Sequence, residues 1–440
     1  MIEQQNTDPG KKRVAWFYAV LFAIPLVGYI HRLMINILID PISMDFALTD
    51  TQASYLQGPP FAIVYGLMVI PMGLLADRGN RVMLLSTGAA LWSLGTVMCG
   101  IAPTFAMLFA ARMLVGLGEA ALMPAAVSLI GDSFSENRRG LAMGIFFTGV
   151  NAGFSSAYAV GGMTLDFAEA GLFQSIPFLA DLSPWRQVFL VLSLPGFLVP
   201  LLLMTIGEPA RQNVGHNVLS TKPLRRLFSS RPLAVILLLL MLQAAVLAVA
   251  DNGIYAWLPR LLSRLYHLEP TEIGLILGAI VATAGAIAGP LSGKFSDHFI
   301  KTRGAAGPLL VIVAAVAAAM LAAPMFAMGS IWLVYVATAI WVTAMVAASA
   351  TTFTFVSVAL PGNMRGITAS IITSIMALVG LGAGPTTIAV ALEGIAIVRN
   401  KVDVAIVVAA LPFCVVALML ILTIWRMADR PRAFEIKGEK

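Results

Sequence analysis

Charge is scarce in this chain. Of 440 residues only 11% are charged while 59% are hydrophobic, against about 25% and about 45–50% in soluble domains. That deficit excludes an ordinary soluble fold and points to an integral membrane protein. Cysteine is nearly absent: Cys99 and Cys414 lie in separate apolar stretches, so neither a disulfide framework nor a cysteine metal site is implied. The four histidines, His31, His216, His267 and His298, are scattered. With no H-E-x-x-H pair, nucleophile motif or Walker loop, a membrane-embedded enzyme and an ATP-driven pump lack support, and no cofactor or metal is expected. The net charge of +6 does not indicate nucleic acid, because the arginines punctuate hydrophobic segments instead of forming a basic run with interleaved aromatics.

What is abundant is long apolar sequence. A membrane-spanning helix needs about 20 such residues. Windows of that kind fall near 14–39, 53–75, 82–101, 105–129, 140–164 and 186–206, and again near 233–258, 271–292, 307–326, 330–357, 366–392 and 403–426. They lack the short alternating pattern of membrane β-strands. The expected fold is therefore all-α, with twelve transmembrane helices in two six-helix bundles, 14–206 and 233–426, joined by a linker over 207–232 and flanked by tails 1–13 and 427–440. The tail ending Lys11-Lys12-Arg13 precedes a stretch too long for a signal-peptide core and without a clear cleavage site, so that stretch is expected to remain as a helix. With the N-terminus inside, 21 of the 28 Lys and Arg residues fall on inner segments. The positive-inside rule then makes both termini and the linker cytoplasmic, in what is expected to be a bacterial plasma membrane.

The two halves echo each other. Gly73-Leu-Leu-Ala-Asp77-Arg78-Gly79-Asn80-Arg81 follows the second window, and Gly293-Lys-Phe-Ser-Asp297-His298-Phe-Ile-Lys301 follows the eighth. Asn137-Arg-Arg139-Gly140 follows the fourth, and Asn363-Met-Arg365-Gly366 the tenth. Parallel six-helix repeats are one transporter plan, with the substrate site near the midplane between them.

On the twelve windows, the G-x-x-x-D-R-x-x-R loop and the run Arg112-Met-Leu-Val-Gly116-Leu-Gly118-Glu119-Ala120, the chain resembles the major facilitator superfamily. Within it, Tyr29 and Arg32 in the first helix, the helix 4 run, Trp185-Arg186 opening helix 6 and Glu208-Pro209 closing it resemble the spinster-like branch of lysolipid and sphingolipid transporters. The resemblance implies alternating access, with Asp77, Arg78 and Arg81 latching the cytoplasmic side in the outward-open state.

Three charges stand inside windows that should tolerate none: Arg32, Arg112 and Glu119, with His31 beside the first. A charge at the bilayer centre costs about 2.5–3.5 kcal/mol on insertion scales, so such groups usually face a cavity and carry function. Counting along the helices puts Arg32 and Arg112 level, with Glu119 one heptad deeper on the face of Arg112 and Gly116. The functional reading is proton coupling: a carboxylate held by arginines stays ionised until a conformational change separates them, and then takes a proton. The bland reading is a static ion pair bracing the bundle. His31 stands where spinster-like proteins generally carry an aspartate; its ordinary pKa of about 6.5 makes it a candidate proton carrier, although a lone histidine in an apolar helix is more often simply hydrogen-bonded. Asp251, at a similar depth in helix 7, is expected to offer Arg32 a counter-charge and close the outer gate.

The polar residues expected along the cavity are Tyr29, Tyr65, Asn151, Ser155, Tyr158, Asn252, Tyr255, Thr351 and Thr352. With buried cations and mostly apolar walls, the expected substrate is an amphipathic solute with an anionic or zwitterionic head, and the alternative is a small organic anion. Further expected partners are protons and membrane lipids, and the protein is expected to be a monomer.

Overall fold

Every one of the twelve apolar windows is helical in the computed structural model, which describes residues 11–211, 231–360, 362–396 and 398–428. The first ten residues, most of the predicted linker with His216, and the tail beyond residue 428 lie outside the described residues. The helices are α1 (Val14–Asp45), α2 (Asp50–Arg78), α3 (Arg81–Ile101), α4 (Phe105–Ser133), α5 (Glu136–Glu169), α6 (Pro184–Met204), α7 (Arg231–Tyr266), α8 (Pro270–Arg303), α9 (Gly307–Ala322), α10 (Ile331–Ala359), α11 (Ile367–Gly394) and α12 (Val402–Ala428). The protein is all-α and integral to the membrane: among the described residues, ten stretches are long and apolar enough to cross a bilayer, and one of these, Pro270–Ala327, contains both α8 and α9.

Packing repeats with an offset of six helices. In the first half α1 lies on α5, α3 on both α4 and α6, and α2 on α4; in the second, α7 lies on α11, α9 on both α10 and α12, and α8 on α10. The same offset relates two of the contacts between halves, α5 with α8 and α2 with α11. The sequence echoes therefore reflect a repeated three-dimensional unit.

Small residues set the closest contacts, as they do where helices pack without a hydrophobic driving force. A Cβ at Gly153 would sit 2.7 Å from the Leu26 carbonyl oxygen of α1, and one at Gly278 would sit 2.7 Å from that of Ser155 in α5. Between α5 and α8, which join the halves, the closeness is confined to one end. Gly162 and Gly274 meet the opposing backbone near the α1–α2 turn, whereas Gly140 and Gly144 of α5 and Gly289 and Gly293 of α8 face open space toward the end carrying the 73–81 motif loop. The halves thus meet at the α1–α2 end and part at the motif-loop end.

Four helices are interrupted, α2 among them at Gly58. Helix α1 breaks at Met34, two residues after Arg32, and α4 breaks at Ala120-Ala121, immediately after Glu119. In α11 a π-helical turn occupies Met376–Leu381, against α2. Such interruptions in a membrane helix persist where the freed backbone groups are satisfied by protein.

At Gly58 any side chain would collide with the Leu381 carbonyl oxygen. Gly58→Val is therefore expected to part α2 from α11. The measurement is labelling of a cysteine placed at the buried Ser54 of α2 by a polar thiol reagent, with the native Cys99 and Cys414 both buried. Labelling should rise severalfold, and an unchanged rate would show that this contact does not hold the end shut.

Candidate functional site

The first site follows from the breaks in α1 and α4. Interrupting α1 leaves the Arg32 carbonyl outside the regular helical ladder, and Arg112 Nη2 donates to that oxygen at 3.0 Å. Arg112 is buried, with Nε and Nη1 unpartnered. It braces the broken helix from behind instead of lining the cavity beside Arg32, as depth counting had suggested. The Arg32 side chain reaches Glu119, Nη1 lying 3.6 Å from Oε2. Its guanidinium stands 4.3 Å from the centre of the Phe61 ring and 5.3 Å from those of Tyr29 and Tyr65, a cationic face-on contact. Glu119 is 1% exposed and its Oε1 has no partner. The adjoining cavity, lined by Tyr29, Arg32, Tyr65, Glu119, Met123 and Phe146 among others, has about 10 Å³, room for roughly one water.

His31 is not part of this group. Its Nε2 lies 2.7 Å from the Leu192 carbonyl oxygen of α6 and its Nδ1 3.2 Å from the Thr96 hydroxyl of α3. A carbonyl accepts only, so Nε2 carries a proton; the Thr96 hydroxyl beside Nδ1 gives its own proton to the Trp92 carbonyl at 2.8 Å. Successive helical residues do not share a face, which is why His31 points away from the cavity that Arg32 enters. Gly196 makes room for the ring: a Cβ there would strike His31 and Ser93.

The other expected residues are dispersed. Asp251 Oδ1 accepts from the indole N–H of Trp341 at 3.0 Å; its polar neighbour lies in its own half, where the sequence reading had placed Arg32. Tyr158 donates to the Tyr255 carbonyl at 2.9 Å, and Phe154 packs edge-on against the Tyr255 ring, so these tyrosines join α5 to α7. Ser155 and Asn252 bond carbonyls of their own helices, and Asn151 is exposed on α5. Thr351 meets Ser296 of α8 at 3.5 Å, while Thr352 lines a cavity beside Asp251.

At the motif loop, Arg81 is fully buried and bonds Glu208 at 2.6 Å, Asp132, and the carbonyls of Ser128 and Pro209. Glu208 also accepts from the Val82 N–H. Asp77 and Arg78 are exposed, and Arg211 caps the end of α2 by donating to the carbonyls of Ala76, Asp77 and Gly79. In this structure the motif ties α2, α3, α4 and the chain after α6 together within the first half.

The contact that closes the opposite end is built on Arg260 and Arg264, which no sequence motif singles out. Arg260 is fully buried. Its Nε lies 2.8 Å from Asp40, its Nη1 2.9 Å from Asp50, and its Nη2 donates to the Ser43 hydroxyl at 2.7 Å. Arg264, one turn on, shares both carboxylates at 3.3 and 2.8 Å. Two cations of α7 thus clasp two anions, from α1 and α2, across the halves. Thr51 of α2 adds a bond to Glu393 of α11 at 2.6 Å, and Gln57 donates to the Ala256 carbonyl. The available signal was spacing: arginines four apart on one helical face opposite aspartates flanking the first turn. A cavity of about 340 Å³, lined in part by Asp40, Glu169, His267 and Glu269, lies against this clasp.

Comparison with known proteins agrees with this architecture. Residues 20–385 match the Major Facilitator Superfamily. The chain is 25% identical to Protein spinster of Drosophila melanogaster over 68% of its own length and 48% of that protein's. It is 25% identical to the sphingosine-1-phosphate transporter SPNS2 of Xenopus tropicalis over 64% and 56%, and 27% identical to a probable L-galactonate transporter of Escherichia coli over 64% and 61%. The matches thus span about half to three-fifths of these relatives. Two crystal structures of a bacterial homologue of the human lysosomal transporter Spinster, both inward-facing, superpose with TM-scores of 0.81 (occupied) and 0.79 (unoccupied); each is 26% identical over 96% of this chain and 99% of that one.

Removing a partner from a buried ion cluster costs about 3–5 kcal/mol, whereas exposed pairs contribute about 0–1 kcal/mol. Arg260→Ala is accordingly expected to destabilise the purified protein far more than Arg264→Ala, whose side chain is 38% exposed. Thermal unfolding in detergent measures this, and equal shifts would contradict the geometry.

Proposed function

Because the chain belongs to the Major Facilitator Superfamily and resembles its spinster proteins, we propose that it is a secondary active transporter that moves an amphipathic, lipid-like solute by alternating access coupled to protons. The observation that carries this reading is Glu119. It is a buried carboxylate at the break of α4, held by one ion pair at 3.6 Å and otherwise unpartnered on Oε1, beside space for a water. A proton on Glu119 removes the charge that holds Arg32, freeing the guanidinium for an anionic head group. Loss of the proton restores the pair. Arg32 is then the exchangeable partner and Arg112 the fixed brace. His31, engaged at both ring nitrogens, is a packing residue and not the carrier.

In this reading the motif-loop end is cytoplasmic, as the distribution of Lys and Arg favours, and the clasp of Arg260 and Arg264 with Asp40 and Asp50 is the closed outer gate. The splayed cytoplasmic ends of α5 and α8 then correspond to an inward-facing state. Asp77, Arg78 and Arg81 would serve the opposite gate when that end closes. A lipid-like substrate is favoured by the apolar and aromatic walls around Arg32 and by likeness to spinster proteins. A small organic anion is the second reading, supported by likeness to the probable L-galactonate transporter.

In proteoliposomes with an imposed pH gradient, Glu119→Gln is expected to reduce proton-driven accumulation at least tenfold while leaving downhill exchange measurable. His31→Asn should retain most of the coupling. Unchanged accumulation by Glu119→Gln would remove that residue from the mechanism.

A further inference from the structure

The second half contains a polar pocket that the coupling scheme does not use. It has about 80 Å³ and is lined by Gln243 and Asp251 of α7, Ser349 and Thr352 of α10, and apolar residues that include Met345 and Met376. Gln243 is fully buried, and neither end of its amide has a hydrogen-bond partner. Buried polar groups in native structures are almost always paired, so an amide orphaned at both ends and facing a cavity marks a place where something binds. Asp251 is held in place by the Trp341 indole on Oδ1. The Thr352 hydroxyl gives its proton to the Ala348 carbonyl and keeps its lone pairs. The polar lining is therefore rich in acceptors and carries one anion, with no cationic side chain among the described lining residues.

The placement of this anion mirrors that of Arg32. Helices α1 and α7 are equivalent in the repeat, and Asp251 lies about as far into α7 as Arg32 does into α1. One half thus offers a cation and the other an anion at matching depths.

We propose that the Gln243–Asp251 pocket binds the primary ammonium group of the transported solute, so that an amine-bearing head is preferred to a trimethylated or amine-free one. This rests on the amphipathic reading above, with the anionic part of the head on Arg32. A primary ammonium brings three N–H donors, matched by the Asp251 carboxylate, the Gln243 carbonyl oxygen and a hydroxyl of Ser349 or Thr352. A quaternary ammonium has no N–H and is typically held by aromatic cages, and no aromatic residue is among the described lining residues.

The test is thermal stabilisation of the purified full-length protein by lysophosphatidylethanolamine, lysophosphatidylcholine and lysophosphatidate of one chain length. The amine lipid should bind at least tenfold more tightly than the other two. Asp251→Asn, and separately the near-isosteric Gln243→Leu, should abolish that preference while leaving lysophosphatidate affinity within about twofold. Equal affinities in the native protein, or a preference that survives in both variants, would overturn the proposal. If no lipid binds, the amphipathic reading fails, and ethanolamine against choline then decides the pocket. Stabilisation by ethanolamine alone, lost in Asp251→Asn, supports an ammonium site, and no difference overturns it. Stabilisation by sodium chloride over choline chloride that depends on Asp251 would also overturn it, in favour of an inorganic cation.

Discussion

Lipid offers a charge no partner, so each ionised side chain buried among these helices must be answered from within the protein. Two clusters meet that demand in different ways. Arg260 is surrounded by Asp40, Asp50 and Ser43, which come from the other half, so its satisfaction is inseparable from closure of that end. Arg32 and Glu119 satisfy each other within the first half, at 3.6 Å and with an oxygen to spare. The first arrangement draws its anions from the opposite half and so belongs to one conformation. The second is under-saturated, which suits a group that exchanges partners.

Broken helices make the second arrangement possible. An unbroken α1 would keep the Arg32 carbonyl in its own ladder, leaving Arg112 no acceptor there. The break at Met34 supplies one, and Arg112 in turn holds α1 in its interrupted form. The break after Glu119 places that carboxylate at a helix end, next to the cavity floor. Backbone irregularity at membrane depth is tolerated only where protein or a cavity covers it, and here it coincides with the charges.

Much of this architecture was legible in the chain. Hydrophobic length located the helices because a bilayer demands about 20 apolar residues per crossing, and the echoes at Asp77 and Asp297 exposed the repeat because equivalent loops serve equivalent helices. The run from Arg112 to Glu119 flagged the site because charge in such a segment is costly. Depth counting did less well. It put Arg112 on the cavity face because it measures position along a helix and says nothing about the direction of a side chain around it. Arg112 turned to a carbonyl freed by a break that no residue pattern announced, and His31 turned to α3 and α6.

The sequence by itself determined that this protein spans a membrane, that it is built from two related halves, and that Arg32 and Glu119 stand as charges inside apolar spanning segments. Each of these follows from composition and spacing, which are properties of the chain. Only the tertiary structure decided which group answers each charge: Glu119 for Arg32, the Trp341 indole for Asp251, and Asp40 and Asp50 for Arg260. The reason is that polar pairing falls off within a few ångströms, and residues this far apart in the chain reach that range only through the packing of helices, within a half for Arg32 and Asp251 and between the halves for Arg260.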